Sequence, residues 1–464
     1  MSDTAMSATA LSIAEAVRSG ALTARAAVEA SLDAVRARND RLNAFTDLTE
    51  ARALARADAL DGARGRGEPL PPLAGVPFAV KNLFDVAGLP TRAGSLINRE
   101  AAPADRDAAA IRRLERAGAV LVGTLNMGEY AYDFTGENAH DGASRNPHDP
   151  ERMSGGSSGG SGSAVAAGLV PVALGSDTNG SIRVPASLCG VFGLKPTFGR
   201  VSRAGTFPFV ASLDHVGPLA RSVADLAAFY DVLQGHDPED PVSAAVPAEP
   251  VQGALGLGIQ GLRIAVADGY FRQGTDRALA AVDQVAAALG ATRHVAWPEA
   301  ERARSAAFLI TAIEGATLHL DRLRRRPHEF DPEVRDRLLA AAMAPGAWYV
   351  RAQKVRAWYR ARVRRLFEEV DAVLAPATPC TAPRLGQKTF VLDGAELPVR
   401  ANLGLYTQPI SFIGLPVCTV PVWGEGESLP IGVQIIAPSW REDVCLRVAA
   451  ELERRDAVRA PAAA

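Results

Sequence analysis

The stretch that most constrains the fold of this chain is residues 154–183. Its first half, residues 154–168, reads SGGSSGGSGSAVAAG, and eleven of these fifteen residues are Gly or Ser. Such a composition also occurs in flexible linkers. This run, however, continues directly into the apolar sequence of residues 170–174, VPVAL, which is typical of buried chain. Because glycine lets the backbone turn tightly or approach other atoms closely, we predict a buried, closely packed segment.

The serines of this stretch fit more than one kind of site. Residues 156–160 match Gly-x-Ser-x-Gly, the pattern of a nucleophile elbow, although any Gly/Ser run produces this pattern easily. A phosphate-binding P-loop is excluded because it needs a lysine, and the stretch contains none. A second polar loop, residues 175–183 (GSDTNGSIR), follows the apolar segment. The two loops can bring Ser157 and Ser181 into one site.

Lysine is rare in this chain. Of 50 basic residues only four are lysines, namely Lys81, Lys195, Lys354 and Lys388. Lysine can lose its proton in a protein and arginine cannot, so a remaining lysine can mark a position where arginine cannot serve. A biased genomic base composition would also leave a few lysines. Lys81 follows the apolar run 76–80, a predicted strand, and catalytic groups often lie at the carboxyl ends of strands. The alternative is a lysine that leaves the core for solvent.

Composition excludes several classes of function. The chain has 464 residues and a net charge of −2, so nothing in it calls for nucleic acid or a membrane surface. Its four cysteines are far apart and form no Cys-x-x-Cys, and no histidine pair has ligand spacing, so we expect neither a metal site nor a cofactor. Residues 1–14 lack a secretion signal, which predicts a cytoplasmic protein. Length alone predicts two or three domains.

Helix and strand signals alternate along the chain, which predicts an α/β fold. Residues 10–60 have helical periodicity, and we expect an N-terminal helical layer over residues 1–65. Residues 190–199 and 203–218 are rich in Gly and Pro and are predicted to be irregular, while residues 236–250, with four prolines, are predicted to be a surface connection. Strands are predicted at residues 76–80, 119–123, 262–267, 372–377, 416–422 and 431–437.

Three motifs together resemble the amidase signature family. They are Lys81 at the end of a strand, a Gly-Gly-Ser-Ser-Gly-Gly loop whose Ser157 lies 76 residues further on, and Gly-Ser-Ile-Arg, whose Ser181 lies another 24 residues on. The similarity continues through residues 193–197 (GLKPT) to residues 432–434 (GVQ). The resemblance implies a single α/β domain over residues 1–464, with a central mixed sheet surrounded by helices. This replaces the several domains expected from length.

The resemblance also implies a catalytic triad. Ser181 would be the nucleophile, Lys81 the base, and Ser157, held after a cis peptide bond, the serine that bridges them. The chemistry agrees, because a serine hydroxyl is a poor nucleophile until a base removes its proton. A neutral lysine can act as that base when desolvation lowers its pKa. Ser157 can accept from one partner and donate to the other, so a proton can pass from Ser181 to Lys81.

Further roles follow from the same resemblance. Asn179 occupies a position where many family members have Gly, which is expected to narrow the pocket. The expected oxyanion hole consists of backbone N–H groups, those of Thr178, Asn179, Gly180 and Ser181. The expected supporting residues are Ser158, Asp177 and Arg183.

A closer resemblance concerns the substrate. Several runs are similar to a branch of the family that cleaves small N-carboxylated ureas, releases ammonia and works with a small helical partner subunit; self-association is a further option. An anionic substrate of this kind needs a cation or several N–H donors. Arg337, in the helical segment after residues 331–333, is the predicted cation, and Tyr132 and Gln434 are predicted uncharged contacts. The similar runs are residues 125–127, 134–138, 145–149, 176–200 and 352–356.

Other functions remain open at this point. Within the family, the alternatives are the glutaminase-type subunit of a tRNA-dependent amidotransferase and a general amidase for small amides. A Ser-His-Asp hydrolase would use Ser158 as nucleophile and His215 or His319 as base. A catalytically inactive scaffold that only binds a partner is a third possibility, although all three triad residues are present.

Overall fold

The computed structural model describes residues 8–461. Residues 1–7 of the expected N-terminal layer, like residues 462–464, lie outside this range. Fifteen strands and fourteen α-helices are defined within it. None of the helices in this range has an apolar stretch long enough to cross a membrane.

The strands are β1 (Phe45–Leu48), β2 (Pro77–Lys81), β3 (Val120–Leu125), β4 (Arg145–Asn146), β5 (Asp149–Met153), β6 (Val172–Asp177), β7 (Phe192–Lys195), β8 (His215–Ala220), β9 (Ile264–Asp268), β10 (Arg293–Ala296), β11 (Ala372–Pro376), β12 (Thr389–Leu392), β13 (Ala395–Pro398), β14 (Val417–Val422) and β15 (Ile431–Ile436). The helices are α1 (Ala10–Ser19), α2 (Ala24–Leu42), α3 (Glu50–Gly65), α4 (Ala109–Arg116), α5 (Gly159–Ala166), α6 (Arg183–Cys189), α7 (Val223–Leu233), α8 (Asp276–Leu289), α9 (Ala300–Arg325), α10 (Pro332–Ala342), α11 (Gly346–Glu369), α12 (Val399–Asn402), α13 (Gln408–Ser411) and α14 (Glu442–Arg454).

Eleven of the strands form one mixed sheet in the order β1-β3-β2-β6-β8-β7-β14-β15-β11-β9-β10. β2 pairs in parallel with both β3 and β6, and β9 pairs in parallel with β10 and β11. Between these two parallel parts, the neighbouring strands β6-β8-β7-β14-β15-β11 all pair antiparallel. Helices surround this sheet, as expected for a single α/β domain. All residues of β3, β6, β14 and β15 are buried, which agrees with the mostly apolar sequences of these strands.

The N-terminal layer is not wholly helical as expected. α1 and α2 each begin after a threonine whose hydroxyl caps the first turn, Thr9 for α1 and Thr23 for α2. Between α2 and α3, however, β1 pairs antiparallel with β3 and forms one edge of the sheet. β1 has only four residues, and the helical periodicity of the sequence on both sides concealed it.

The prediction of irregular structure at residues 190–199 and 203–218 is wrong at two central strands, β7 and β8. Glycine and proline usually weaken a strand interior. Here Gly217 is required by close approach, because a Cβ on it would lie 2.1 Å from the Leu194 carbonyl oxygen of β7. Pro218 lies opposite Leu174 of β6. Tertiary packing therefore overrides the local signal.

Residues 236–250 carry no helix or strand. Most of their side chains are exposed or half-buried, but two aspartates are anchored to the preceding loop. Asp237 accepts a hydrogen bond from Ser202, and Asp240 forms an ion pair with Arg203. The connection is thus fixed to the body of the protein at both carboxylates.

The topology brings the sequence motifs to one place. β2 and β6 are parallel neighbours, so their carboxyl ends lie side by side at the same edge of the sheet. β2 ends at Lys81 and β6 ends at Asp177. The chain that follows β6 leads through Ser181 into α6, and α5 begins directly after Ser158. Lys81 and the two serine loops therefore meet.

Residues 159–166 of the Gly/Ser run form the helix α5, and all eight of them are buried. Its glycines let neighbouring backbone come within contact distance. A Cβ on Gly160 would lie 2.5 Å from the Ala44 carbonyl oxygen and 2.6 Å from both the N and the O atoms of Asn126. A linker would show no such contacts.

We predict that Gly160→Ala destabilises the protein by about 1–3 kcal/mol or more, because backbone atoms cannot move aside as a flexible side chain would. The measurement is the thermal unfolding midpoint. Gly346→Ala is the matched control, since Gly346 begins α11 and a Cβ there meets nothing within 4 Å. Equal midpoints for the two variants would contradict the close packing of α5.

Candidate active site

Lys81 is fully buried at the end of β2. Its Nζ donates hydrogen bonds to Ser157 Oγ at 2.6 Å and to Ser176 Oγ at 2.9 Å. Burial lowers the pKa of Lys81 to about 7, although three nearby aspartates partly oppose this shift. A substantial fraction of the amine is therefore neutral near pH 7, and a neutral amine can accept a proton.

Ser157 follows a cis peptide bond with Gly156, as the family resemblance implied. Its neighbour Ser158 points elsewhere: Ser158 Oγ donates to the Ser176 carbonyl at 3.2 Å and accepts from the Ser176 N–H at 3.3 Å. Ser158 therefore holds the strand residue that binds Lys81. Ser176 itself was missed by the sequence analysis, although it lies in the polar loop of residues 175–183, one residue before Asp177.

The loop after β6 presents unused donors. No acceptor for the backbone N–H groups of residues 178–181 is found within residues 8–461. Gly180 has φ 145°, and a Cβ there would lie 2.2 Å from Thr407 Oγ1. Thr407 Oγ1 also donates to the Asn179 carbonyl at 2.6 Å. The loop is therefore held from outside while its N–H groups stay available for an anionic oxygen.

A buried ion pair closes this loop. Arg183 donates from Nε and Nη2 to the two carboxylate oxygens of Asp177, each at 3.0 Å. Asp177 also accepts from the Ile182 N–H at 3.2 Å. Burial by itself would raise the pKa of Asp177, but the Arg183 guanidinium outweighs it and holds that pKa below its ordinary value. The pair fixes both ends of the loop that carries Ser181.

The structure corrects the prediction for Gln434. This residue lies on β15, is fully buried and does not line the pocket beside Ser181. Its Oε1 accepts from Arg183 Nη1 at 2.7 Å, and its Nε2 donates to the Pro376 carbonyl at 2.8 Å. Nε2 also donates to the Tyr406 carbonyl at 3.3 Å, so both of its N–H groups are used within the protein and the amide holds Arg183 in place. Proximity to a motif in sequence gave no information about this orientation.

A pocket opens beside Ser181, and Tyr132, Asn179 and Arg337 are among its lining residues. The Arg337 guanidinium lies over the Tyr132 ring, 3.5 Å from the ring centroid, and Nη1 donates to the Tyr132 carbonyl at 2.9 Å. Across residues 8–461, no carboxylate pairs with Arg337. The remaining lining residues are Ala131, Asp133, Phe134, Thr178, Phe209, Phe308, Thr311 and Gln408.

The arrangement required for a Ser-His-Asp hydrolase is not formed. His215 Nδ1 lies 3.0 Å from the Asp177 carbonyl oxygen, and burial holds the pKa of His215 well below its ordinary value. His319 packs against Tyr130 with the rings tilted by 37° and their centroids 4.0 Å apart. The Ser158 hydroxyl bonds to the backbone of Ser176 and to neither histidine. In the part of the chain that the structure describes, no cluster of His, Cys, Asp or Glu is arranged to hold a metal ion.

Lys195 is a second fully buried lysine, and burial lowers its pKa to about 7 as well. Its Nζ donates to the Pro196 carbonyl at 3.0 Å and to no serine. Burial and pKa therefore do not distinguish the two lysines, whereas the hydrogen bond to Ser157 does.

Comparison with known proteins agrees with this geometry. The family model described as Amidase matches residues 26–446. The chain therefore belongs to the amidase family, and it is a hydrolase of carbon–nitrogen bonds other than peptide bonds.

Individual relatives are similar over nearly the whole chain. The AtzE chain of the 1-carboxybiuret hydrolase of Pseudomonas sp. (strain ADP) is 55% identical over 443 residues, which cover 95% of this chain and 97% of the relative. A solved structure described as "An unexpected vestigial protein complex reveals the evolutionary origins of an s-triazine catabolic enzyme" has a TM-score of 0.97 at 54% identity and covers 98% of this chain and 100% of its own. A glutamyl-tRNA(Gln) amidotransferase chain of Moorella thermoacetica is 39% identical over 463 residues, 93% of each chain.

We predict that Lys81→Arg loses about a hundredfold or more of amide hydrolysis, as much as Lys81→Ala, because arginine keeps the charge but accepts no proton. The measurement is the rate of ammonia release by folded protein. Lys388→Arg is the matched control, since the Lys388 side chain is 78% exposed. Near-normal turnover in Lys81→Arg would contradict a role as base.

We also predict the pH dependence of the wild-type enzyme. A role as base requires Lys81 to be neutral, and burial lowers the pKa of Lys81 to about 7. The value of kcat/KM should therefore fall as pH drops below about 7 and rise to a plateau above it. A profile that rises toward acid would contradict the requirement for a neutral amine.

Proposed function

We propose that this chain hydrolyses 1-carboxybiuret, or a close anionic analogue of urea type, and releases ammonia. The observation that carries the chemistry is the buried hydrogen bond between Lys81 and Ser157 beside the loop of Ser181. The observation that carries the substrate class is Arg337, a guanidinium in the adjoining pocket for which the described chain supplies no carboxylate. The 55% identity to a chain of a 1-carboxybiuret hydrolase supports the same substrate.

In the proposed reaction, Ser181 Oγ attacks the carbonyl carbon of the terminal amide. Its proton passes to Ser157, and Ser157 passes its own proton to the neutral Lys81. The carbonyl oxygen becomes an oxyanion, and the free N–H groups of residues 178–181 donate to it. The carbon–nitrogen bond then breaks, and the leaving nitrogen takes a proton back from Lys81 through Ser157 and departs as ammonia.

The second half of the reaction uses the same groups. Water attacks the ester formed on Ser181 and gives up a proton along the same path, and the ester bond breaks as Ser181 regains a proton. Ser158 supports this path by holding Ser176, which in turn binds Lys81. The ion pair of Asp177 and Arg183 supports it by fixing the loop of residues 178–181.

The substrate carboxylate is proposed to bind Arg337. A guanidinium can donate two parallel hydrogen bonds to a carboxylate, and a buried carboxylate without such a partner would be costly. Tyr132 lies directly under Arg337, and its hydroxyl is buried without a partner in the described chain. The hydroxyl is therefore available as a second contact to the substrate.

We further propose that the chain works in the cytoplasm within a complex that contains a small helical accessory subunit, with self-association as a further option. Support comes from a solved structure of a similar chain, which is described as a protein complex. Size-exclusion chromatography with light scattering, on protein co-expressed with its neighbouring reading frames, tests the composition. A chain that is fully active and monomeric alone would contradict this proposal.

We predict unequal losses at the two serines. Ser181→Ala should abolish turnover, a loss of at least about a thousandfold, because no acyl-enzyme can form. Ser157→Ala should leave traces, because a water molecule can replace the bridging hydroxyl inefficiently. The control is Ser305→Ala on the exposed face of α9. A larger loss at Ser157 than at Ser181 would overturn the assigned roles.

The substrate is tested by ammonia release from 1-carboxybiuret, biuret, glutamine and a simple aliphatic amide. Arg337→Ala should lower kcat/KM for 1-carboxybiuret by about ten- to a hundredfold and leave biuret nearly unchanged, because only the former carries a carboxylate. Arg335→Ala on the same helix is the control, since Arg335 pairs with Asp336 and does not line the pocket. A clear preference for the aliphatic amide would contradict the anionic substrate.

The glutaminase-type function is the second candidate, because glutamyl-tRNA(Gln) amidotransferase relatives share 36–39% identity with this chain. Preferred turnover of free glutamine by the purified complex would favour it. The same triad would then act on a different substrate.

A further inference from the structure

Two polar atoms in the pocket beside Ser181 have no partner among residues 8–461. They are Asn179 Oδ1 and Tyr132 Oη, and both side chains are nearly inaccessible, with exposed fractions of 6% and 5%. Buried polar atoms are nearly always hydrogen-bonded, and both residues line one pocket, so a ligand bound there is the natural partner for the two atoms. Tyr132 already has a proposed role beside Arg337. Asn179 Oδ1 has none.

The amide of Asn179 is held through its nitrogen, and its oxygen Oδ1 has no hydrogen-bond partner in the described chain. Its Nδ2 donates to Thr311 Oγ1 of α9 at 2.8 Å. Its backbone carbonyl accepts from Thr407 Oγ1 at 2.6 Å. The side chain is therefore anchored at its nitrogen and at its backbone, and Oδ1 is an oriented acceptor that costs little ordering when a ligand binds.

We propose that Asn179 is a specificity-determining residue, whose Oδ1 accepts a hydrogen bond from the N–H next to the scissile carbonyl of a urea-type substrate. This inference rests on the proposed function. Asn179 stands two residues before Ser181 in the same loop and lines the same pocket, so a substrate held at Ser181 comes within reach of its side chain. Arg337 would bind the anionic end of the substrate, and Asn179 would recognise the interior N–H.

The chemistry distinguishes substrate classes at one atom. A urea-type substrate carries N–H where glutamine or an aliphatic amide carries CH₂. A methylene cannot donate, and it would leave Asn179 Oδ1 buried and unpaired on complex formation. Sites built to bond a polar group discriminate strongly against analogues that lack it. Asn179 would therefore favour ureas over carbon-linked amides without any contact to the carboxylate.

The test compares biuret with malonamide, two neutral diamides that differ only by the central NH or CH₂. The ratio of their kcat/KM values is measured for the full complex; for a compound without turnover, the inhibition constant against 1-carboxybiuret hydrolysis is used.

Asn179→Ala should lower the preference for biuret by about tenfold. Thr311→Val, which keeps shape but removes the anchor, should lower it in the same direction by less. Both diamides place their oxyanion at the same N–H donors of the loop, so damage to these donors affects both rates and largely cancels in the ratio.

Asn179→Asp separates recognition from structure. It keeps an oxygen acceptor in the same place, and neither diamide carries a charge that it would repel, so the preference for biuret should persist. An unchanged ratio in Asn179→Ala, or an equal loss in Asn179→Asp and Asn179→Ala, would overturn the role of Oδ1. If wild-type protein prefers malonamide to biuret, the proposed function itself fails, and this outcome is distinct from the failure of Asn179 alone.

Discussion

The hydrogen bond from Lys81 to Ser157 is the interaction on which the site depends. It forms only because β2 and β6 run parallel as neighbours, which places Lys81 beside the chain that leaves β6. It can pass a proton only because burial brings the pKa of Lys81 down to about 7. An exposed lysine at the same distance would stay charged at neutral pH. The position in the sheet and the desolvation therefore together give Lys81 the properties that the proposed role of base requires.

Close packing of glycine and serine supplies the rest of the site. α5 can lie against the sheet because its glycines leave room for the backbone of residue 126, and Gly180 leaves room for Thr407. The ion pair of Asp177 and Arg183 then fixes the loop from behind, where it is shielded from water. Such a buried pair adds little net stability by itself, but it gives the loop one geometry. Within residues 8–461 the N–H groups of this loop have no acceptor, and the fixed loop orients them.

Much of this was predictable from sequence, and the failures have physical causes. The motifs that resemble the amidase signature family implied a triad of Lys81, Ser157 and Ser181, which stays a prediction, whereas the family and the mixed α/β sheet are confirmed. The scarcity of lysine was only partly informative, because Lys195 is buried too without touching a serine. The strands that contain Gly217 and Pro218 were missed because cross-strand packing, not local propensity, decides them. Side-chain direction, as at Gln434, depends on contacts distant in sequence.

In the proposed mechanism, a neutral Lys81 activates Ser181 through Ser157. The most direct measurement is labelling by a serine-directed phosphonate, with the modified residue located by peptide mass spectrometry and the labelling rate followed against pH. We expect one adduct, on Ser181, whose rate of formation rises through about pH 7 and is lost in Lys81→Ala. An adduct on Ser157 or Ser158, or rapid labelling of Ser181 without Lys81, would contradict the account.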